Sequence, residues 1–328
     1  MPVFQRDKEP PMPGAFAHMI AADLAKSRVE GGSPFLAKAL NRYNEWLQAG
    51  AVGPDYPYLH RLIFNDASNR WADLMHYQAT GDMVRAGLAE LKPRFVAEQN
   101  DPLFMRSAAW LFGYASHVVL DASIHPVVRA IVGEYAAHKT EHRACEMVMD
   151  SWIYKETYRV ELINAEWADF MRALTVGGGM DPAVATLWRQ MLQTVHPAAF
   201  NQNPPQIDGW QKGYVTALDA ADLNVGFFRH AAEQKGVVYV PVAVIPGADR
   251  TRFIEQAALP KNNRFGKTAM HYRDIHQFGV DRVVRFWGLM EGALKGEGDP
   301  ELPELLNWNL DTGTLIGKEE NGDATLWV

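Results

Sequence analysis

Five residues between positions 117 and 146 have the types and the spacing of metal ligands. His117, Asp121 and His125 are each four positions apart, and His142 and Glu146 are again four apart. Residues four apart lie on one face of an α-helix, so His117 and Asp121 can reach the same ion. Imidazole and carboxylate groups suit zinc or another divalent first-row ion. The pattern therefore predicts a metal site carried by helices.

A second ion can be held by the later residues of this pattern. His125 directly precedes Pro126, and a proline is favoured at the first position of a helix. We therefore expect His125 to lie at the start of a new helix and to face a neighbouring metal. With His142 and Glu146 it would form a His-His-Glu set whose fourth position is open for water or a phosphate oxygen, as a catalytic zinc requires.

Three earlier residues are further candidates. His18, Asp55 and His76 each lie among apolar or aromatic residues, where a polar group needs a partner and a metal can supply one. Taken singly, His18 or His76 is better explained as a core histidine with a backbone hydrogen bond. The pattern of His117, Asp121, His125, His142 and Glu146 that follows them favours a metal. Six of the eleven histidines have no comparable ligand-type residues near them in the sequence. We interpret these as surface or core residues: His60, His138, His196, His230, His271 and His276.

The elements that must position these residues are mostly helices. Apolar spacing, caps and prolines predict helices over residues 15–26, 34–48, 66–78, 82–91, from Pro102 through Asp121, from Pro126 to about 138, 141–174, 182–196, 211–235 and 280–295. Two prolines make residues 53–58 a structured loop that carries Asp55. Residues 237–245 are the clearest strand, and the tail from Asp311 is rich in turns. We expect a mainly α fold with a smaller C-terminal α+β extension.

Composition limits the class of protein. The 328 residues are 48% hydrophobic and 22% charged, with a net charge of −7, so a large folded core is expected and stable nucleic-acid binding is not. Cys145 is the only cysteine, which excludes an internal disulfide and a cysteine-based zinc site. Residues 1–13 are polar and proline-rich, without the apolar core of a signal peptide, and we see no apolar run of about 18 residues. We expect a flexible arm over 1–13 and a cytoplasmic protein, with leaderless export left open.

The order of the eight candidate ligands resembles that of the zinc-dependent phospholipase C family, which is similar in fold and metal site to the fungal single-strand nucleases. The resemblance rests on His18, Asp55 in the segment Gly-Pro-Asp-Tyr, His76, the segment Ser-His117-Val-Val-Leu-Asp121, His125-Pro and the pair His142 and Glu146. It covers roughly residues 14–150. It implies a phospholipase C/nuclease-like helical domain, which we place at 14–180, and leaves the region 181–328 without an assigned role.

The resemblance also implies a cluster of two or three zinc ions. Carried over by position, it assigns three sets of ligands: Asp55, His76, His117 and Asp121 to one zinc; His125, His142 and Glu146 to a second; His18 and Asp121 to a third. Asp55 is then also the candidate for activating water. One departure concerns the third ion, because secreted members complete its site with an N-terminal tryptophan and this sequence starts Met-Pro-Val. We expect another group to replace that ligand or the third site to be incomplete.

These observations predict a zinc-dependent phosphodiester hydrolase that cleaves a phospholipid or a related phosphodiester in the manner of a phospholipase C, with transient contact with a membrane surface. Zinc ions neutralise the charge that builds up on a phosphoryl group and lower the pKa of bound water toward neutrality. Two alternatives are a nuclease or small-molecule phosphodiesterase with the same metals, and a non-catalytic metal- or lipid-binding protein.

Overall fold

The computed structural model of the chain describes residues 14–60, 66–162, 172, 174–222, 239–297, 302, 304–318 and 322–328. These residues form thirteen α-helices and two short two-stranded hairpins, which confirms a mainly α fold with small α+β elements. The helices are α1 (Ala15–Val29), α2 (Pro34–Arg42), α3 (Asn44–Ala51), α4 (Asp66–Tyr77), α5 (Thr80–Leu91), α6 (Phe95–Glu98), α7 (Pro102–Val132), α8 (Lys139–Tyr158), α9 (Pro182–Val195), α10 (Pro197–Gln202), α11 (Ile207–Asp222), α12 (Gly247–Arg250) and α13 (Tyr272–Lys295).

The strands are two residues long. Strands β1 (Thr175–Val176) and β2 (Gly179–Met180) form one antiparallel pair, and β3 (Ala257–Ala258) and β4 (Ala269–Met270) form the other. Short 3₁₀ helices cover Gly53–Leu59, Lys92–Arg94 and Val242–Val244, and a π-helical turn covers Thr251–Glu255.

Helix α7 is the central element of the fold. Pro102 occupies its first position, as predicted. The carboxylate of Asp101 caps its first turn by accepting from the nitrogens of Leu103 and Phe104. Its side chains are buried on every face, which is expected of a helix surrounded by others; α1, α3, α5 and α13 all pack on it. Among the described residues it is the one helix long and apolar enough to cross a membrane, but 83% of its apolar window is buried inside the protein.

Helices α3 and α7 cross at very short distance. A Cβ atom on Gly113 of α7 would strike the carbonyl of Leu47 and lie 2.8 Å from the nitrogen of Ala51. A Cβ atom on Gly50 of α3 would strike the carbonyl of Trp110. Glycine at both positions therefore lets the two backbones touch, and this contact places the end of α3 against the middle of α7.

The prediction that Pro126 starts a new helix is wrong, because α7 continues through it to Val132. A proline inside a helix removes one N–H and crowds the carbonyl four residues earlier, here that of Ala122. C-terminal residues cover this turn. Gly313, at a φ of +65°, packs on the Ala122 carbonyl and the proline ring, and the indole of Trp327 donates to the carbonyl of Ser123 at 2.7 Å. Tertiary contacts thus stabilise a helix that local sequence alone would end.

Four other element predictions need correction. The predicted helix 280–295 begins earlier, at Tyr272. The predicted helix 34–48 is two helices, because Tyr43 leaves the helical conformation (φ −122°, ψ 45°). The predicted helix 141–174 ends at Tyr158, where Arg159 adopts a left-handed conformation (φ +61°); residues 163–171 lie outside the described residues. The predicted helix 211–235 begins earlier, at Ile207, and residues 223–235 lie outside the described ones.

The predicted strand 237–245 is also wrong over its described part, 239–245. This segment contains the 3₁₀ turn Val242–Val244, and the backbone N–H of Val242 donates to the carboxylate of Glu161 at 3.0 Å. That N–H is bonded to a side chain rather than to a neighbouring strand, and Pro241 beside it has no N–H to offer. Preference of valine and isoleucine for strands depends on such a neighbour.

The C-terminal region packs directly on the helices that carry the candidate ligands. Helix α13 lies against both α1 and α7, and the indole of Trp287 donates to the carbonyl of Phe112 at 2.8 Å. The segment 307–316, which we call the tail hairpin, is closed by a β-bridge between Trp308 and Leu315. Its tip lies beside the proline turn of α7.

Candidate metal centre

Helix α7 presents His117, Asp121 and His125 in one row, each one turn after the last, because the helix is continuous at Pro126. Asp121 is at the centre of the row and is 1% exposed. Its Oδ2 atom lies 3.1 Å from Nε2 of His117, and its Oδ1 atom lies 3.3 Å from Nε2 of His125. Oδ1 also lies 3.0 Å from Nε2 of His18, which comes from α1. One carboxylate thus faces three imidazoles.

Asp55 and His76 approach the same row from the other side. The segment 53–58, predicted as a structured loop, is a 3₁₀ helix with Pro57 inside it, and it buries Asp55. Oδ1 of Asp55 lies 3.2 Å from Nε2 of His76 on α4 and 4.0 Å from Nε2 of His117. The two Nε2 atoms of His76 and His117 are 3.3 Å apart. Two neutral imidazoles at this distance would direct their lone pairs at the same point.

In three of the histidines, one ring nitrogen donates a hydrogen bond to a backbone carbonyl and the other is left free for a metal; we call the bonded one the far nitrogen. Nδ1 of His76 donates to the carbonyl of Ala72 at 2.8 Å, and Nδ1 of His117 donates to that of Ala51 at 2.9 Å. His142 is turned the other way, since its Nε2 donates to a carbonyl, that of Gly133, at 2.8 Å. A carbonyl can only accept, so each bond fixes the tautomer and leaves the other ring nitrogen with a lone pair for a metal.

His125, His142 and Glu146 surround a neighbouring position. Oε1 of Glu146 lies 3.5 Å from Nε2 of His125, and both side chains line one cleft together with His142. The cleft is also lined by three tyrosines, Tyr58, Tyr77 and Tyr135, and by His76 and Asp311. The structure therefore brings seven of the eight predicted ligands into a continuous chain of contacts and places the eighth, His142, in the same cleft.

The buried carboxylates have the character of metal ligands without their metal. Both oxygens of Asp55 and both of Asp121 are buried and lack a hydrogen-bond partner of ordinary geometry, although imidazole nitrogens lie close by. An uncompensated buried carboxylate is costly, and a divalent cation would compensate it. Two groups of three among the described residues have donor atoms within 4.8 Å of one another: His18, His117 and Asp121, and Asp55, His76 and His117. These residues fit zinc by donor type and by spacing.

Without a metal, the charges within the cluster shift its proton affinities strongly. Burial alone would raise the pKa of Asp121, but His125, His117 and His18 together lower it well below its ordinary value. Burial alone would lower the pKa of His76, but Asp55 and Asp121 raise it to about 9. The metal-free site therefore holds protons that metal binding would release.

The second position shows the same competition. Burial opposes the charged form of His125, yet Asp121, Asp311 and Glu146 raise its pKa to about 10. Burial raises the pKa of Glu146 to about 8, against the opposing effect of His125. The pKa of His142 is lowered, chiefly by burial, so this ring is neutral and ready to coordinate.

Asp150 is a residue of this site that sequence reasoning missed. It lies one turn after Glu146 on α8, and its carboxylate accepts from the nitrogens of Ala17 at 2.8 Å and Phe16 at 3.2 Å and from the hydroxyl of Tyr239 at 3.0 Å. It thus caps α1, the helix that carries His18. The four-residue spacing from Glu146 is the signal that could have found it.

His276 belongs to the same support. It is buried on α13, and its Nε2 donates to the carbonyl of Ala17 at 3.1 Å. It is a core histidine bonded to the backbone, one of the two possibilities, surface or core, that the sequence left open for it. The N-terminal residues 1–13, where the family's tryptophan ligand would be sought, lie outside the described residues.

Residues 15–197 match a family model described as zinc dependent phospholipase C. The matched segment is more than half of the 328-residue chain and includes all eight predicted ligands. Neither the curated proteins nor the solved structures contain a significant match.

Proposed function

We propose, from the premise that this chain belongs to the zinc-dependent phospholipase C family, that it hydrolyses a phospholipid or a related phosphodiester with zinc held by the cluster around Asp121. The observation that carries the proposal is the burial of the Asp55 and Asp121 carboxylates. Oδ1 of Asp55 and both oxygens of Asp121 lie 3.0–3.2 Å from histidine nitrogens. Without a metal, protonated histidines must compensate these charges, and a divalent cation would replace those protons.

Two groups of residues would hold the first ions. Asp55, His76, His117 and Asp121 would hold one ion, and His18 with Asp121 would hold another; the donor atoms of His117 lie within 4.8 Å of those of both groups. His125, His142 and Glu146 would hold a further ion at the cleft. When bound, the zinc ions supply an acidified water molecule and neutralise charge on the phosphoryl oxygens.

Asp55 is the residue proposed to handle the proton of the attacking water. Its carboxylate is buried, and both of its oxygens lack a hydrogen-bond partner in the described chain. It can therefore accept a proton from water or orient that water. Asp55 belongs to the 3₁₀ helix Gly53–Leu59, whose residues up to Tyr58 are buried, and this helix holds the carboxylate in place.

The reaction would break the bond between phosphorus and the glycerol oxygen. The water oxygen forms a new bond to phosphorus, one of its protons passes to Asp55, and the glycerol oxygen leaves and takes up a proton. The products are diacylglycerol and the phosphorylated head group. His125 and Glu146 line the cleft, where they would position the phosphoryl group through the ions they hold.

The proposed role of Asp55 is tested by the variant Asp55→Asn, which keeps an oxygen that can bind metal but cannot accept the proton. We expect the zinc content to be retained and the rate of diacylglycerol release from phosphatidylcholine vesicles to fall about 10²- to 10⁴-fold. Full activity in the zinc-loaded variant would contradict the role of Asp55.

A matched control is Asp181→Asn. Asp181 is fully buried but caps α9 and pairs with Arg106 at 3.1 Å, without contact to the cluster. This variant should keep its activity. Single-stranded DNA and small phosphodiesters assayed in parallel separate a phospholipase from a nuclease, and zinc binding without hydrolysis of any of them would favour a non-catalytic protein.

A further inference from the structure

The far nitrogen of His125, Nδ1, faces a carboxylate, whereas the far nitrogens of three other histidines in the cluster face backbone carbonyls. His76, His117 and His142 each turn that nitrogen to a backbone carbonyl. Nδ1 of His125 instead lies 3.7 Å from Oδ1 of Asp311, a distance of an ion pair rather than a hydrogen bond. Asp311 lies 186 positions later in the chain and outside the segment 15–197 that matches the family.

Asp311 is itself held in place. The hydroxyl of Tyr77 donates to its Oδ2 atom at 3.0 Å, and its backbone nitrogen donates to the side chain of Asn309 at 3.1 Å. The neighbouring nitrogen of Leu310 donates to the carbonyl of His76 at 3.0 Å. One oxygen of the carboxylate is thus bonded to Tyr77, and the other is left to face His125.

The tail hairpin that carries Asp311 is anchored on two sides. On one side, the hydroxyl of Thr80 donates to the carbonyl of Trp308 and accepts from its nitrogen, both at 2.9 Å. On the other side, Gly313 packs on the ring of Pro126 in α7, the residue directly after His125. The hairpin therefore sets the carboxylate relative to the imidazole from both α5 and α7.

We propose that Asp311 is a positioning residue for His125, orienting the ring so that its Nε2 atom faces the metal position shared with Glu146. A carboxylate on the far nitrogen of a metal-bound histidine fixes its tautomer and makes it a more basic ligand. The tail hairpin thereby completes, from the C-terminal region, a centre whose ligands all lie in the first half of the chain. This inference rests on the proposed metal centre, but its readout is metal binding and not hydrolysis.

The test compares zinc affinity, by competition with a chromogenic chelator, in the full chain and in Asp311→Ala. We expect the affinity of one class of bound zinc to fall about 10- to 100-fold and Asp311→Asn to lose less, since a side-chain oxygen still lies beside Nδ1. The visible spectrum of the Co²⁺-loaded protein, which reports ligand number and geometry, should change in Asp311→Ala.

Asn307→Ala is the matched control for docking of the tail hairpin. Asn307 joins the hairpin to Asp82 by two hydrogen bonds, at 3.0 and 2.9 Å, and does not contact the cluster. This variant should unfold more easily but bind zinc and Co²⁺ as the wild type does. Wild-type affinity and spectrum in Asp311→Ala, or an equal loss in Asn307→Ala, would overturn the proposal. Absence of hydrolysis in every variant would contradict the proposed function and leave this comparison intact.

Discussion

The Nε2 atom of His125 lies 3.3 Å from Oδ1 of Asp121, one turn earlier on the same helix. The same oxygen lies 3.0 Å from Nε2 of His18, and the other oxygen lies 3.1 Å from Nε2 of His117. A single carboxylate therefore links the imidazoles of two helices. Because it stands between them, a change at Asp121 should affect more than one metal position.

We predict that Asp121→Asn loses most of its bound metal. The amide of asparagine is neutral, and an NH₂ group replaces one of the two carboxylate oxygens. This NH₂ group repels a cation and the hydrogens of neighbouring groups. Changes to outer-shell residues of metal sites cost about 10- to 100-fold in affinity, and we expect a larger loss here. Metal analysis after dialysis against a weak chelator measures it. Asp181→Asn should retain its zinc, and a wild-type zinc content in Asp121→Asn would contradict the bridging role.

The metal-free protein should lose stability as the pH rises from about 7 to about 9.5. The pKa of His76 is raised from 6.5 to about 9 and that of His125 to about 10, so the folded state binds these protons more tightly than the unfolded state does. Their contribution is complete below pH 6.5 and is lost as the pH rises through the folded pKa values. Glu146, raised from 4.5 to about 8, acts in the same direction.

Three other groups of the cluster have lowered pKa values, and they do not cancel this loss of stability. The lowered pKa values of His18 and His142 affect stability only below about pH 6.5, and the lowered pKa of Asp121 affects it only in acid. Urea unfolding of the chelated protein at several pH values measures the effect. The zinc-loaded protein, whose ligand histidines are neutral, should show a weaker dependence on pH. A metal-free protein that is as stable at pH 9.5 as at pH 7 would contradict these proton affinities.

Gly113→Ala should destabilise the fold and disturb the metal site together. The added methyl group would strike the carbonyl of Leu47 and crowd the nitrogen of Ala51, and the carbonyl of Ala51 is the one that orients His117. Overpacking of this kind typically costs about 1–3 kcal/mol. We expect a lower urea midpoint and weaker zinc binding.

Gly288→Ala is the control, because a Cβ atom at this position on α13 has no neighbour within 4 Å. Alanine in a helix interior is favoured over glycine by about 0.5–1 kcal/mol, so this variant should be as stable as the wild type or more so. If Gly113→Ala were equally harmless, the close crossing of α3 and α7 would be refuted.

The spacing of residues along the sequence was enough to predict the part of the site that lies on helices. Residues four apart share a helix face whatever the rest of the chain does, so His117 and Asp121 could be paired from the sequence. The prolines that begin α2 and α7, Pro34 and Pro102, likewise act within one turn. No local spacing rule links Asp55, His76 and His18 to His117, Asp121 and His125 on α7. Only the resemblance to a family assigned them to the same site.

Long-range contacts explain what the sequence did not predict. Pro126 lies inside a helix because Gly313 and Trp327 cover its turn, and no local pattern reveals these partners. Asp311 lies beside His125 only because the tail hairpin folds back on α7. The valine-rich segment before Ile245 meets a carboxylate instead of a strand. In each case tertiary contact overrides the preference of the local sequence.

The most direct test of the account is the zinc content of the purified chain measured together with its hydrolysis of phosphatidylcholine. We expect two or three zinc ions per chain, diacylglycerol release that stops when a strong chelator removes them, and recovery when Zn²⁺ is added back. A chain that hydrolyses the lipid at full rate after its metal is gone, or that binds no zinc, would contradict the account.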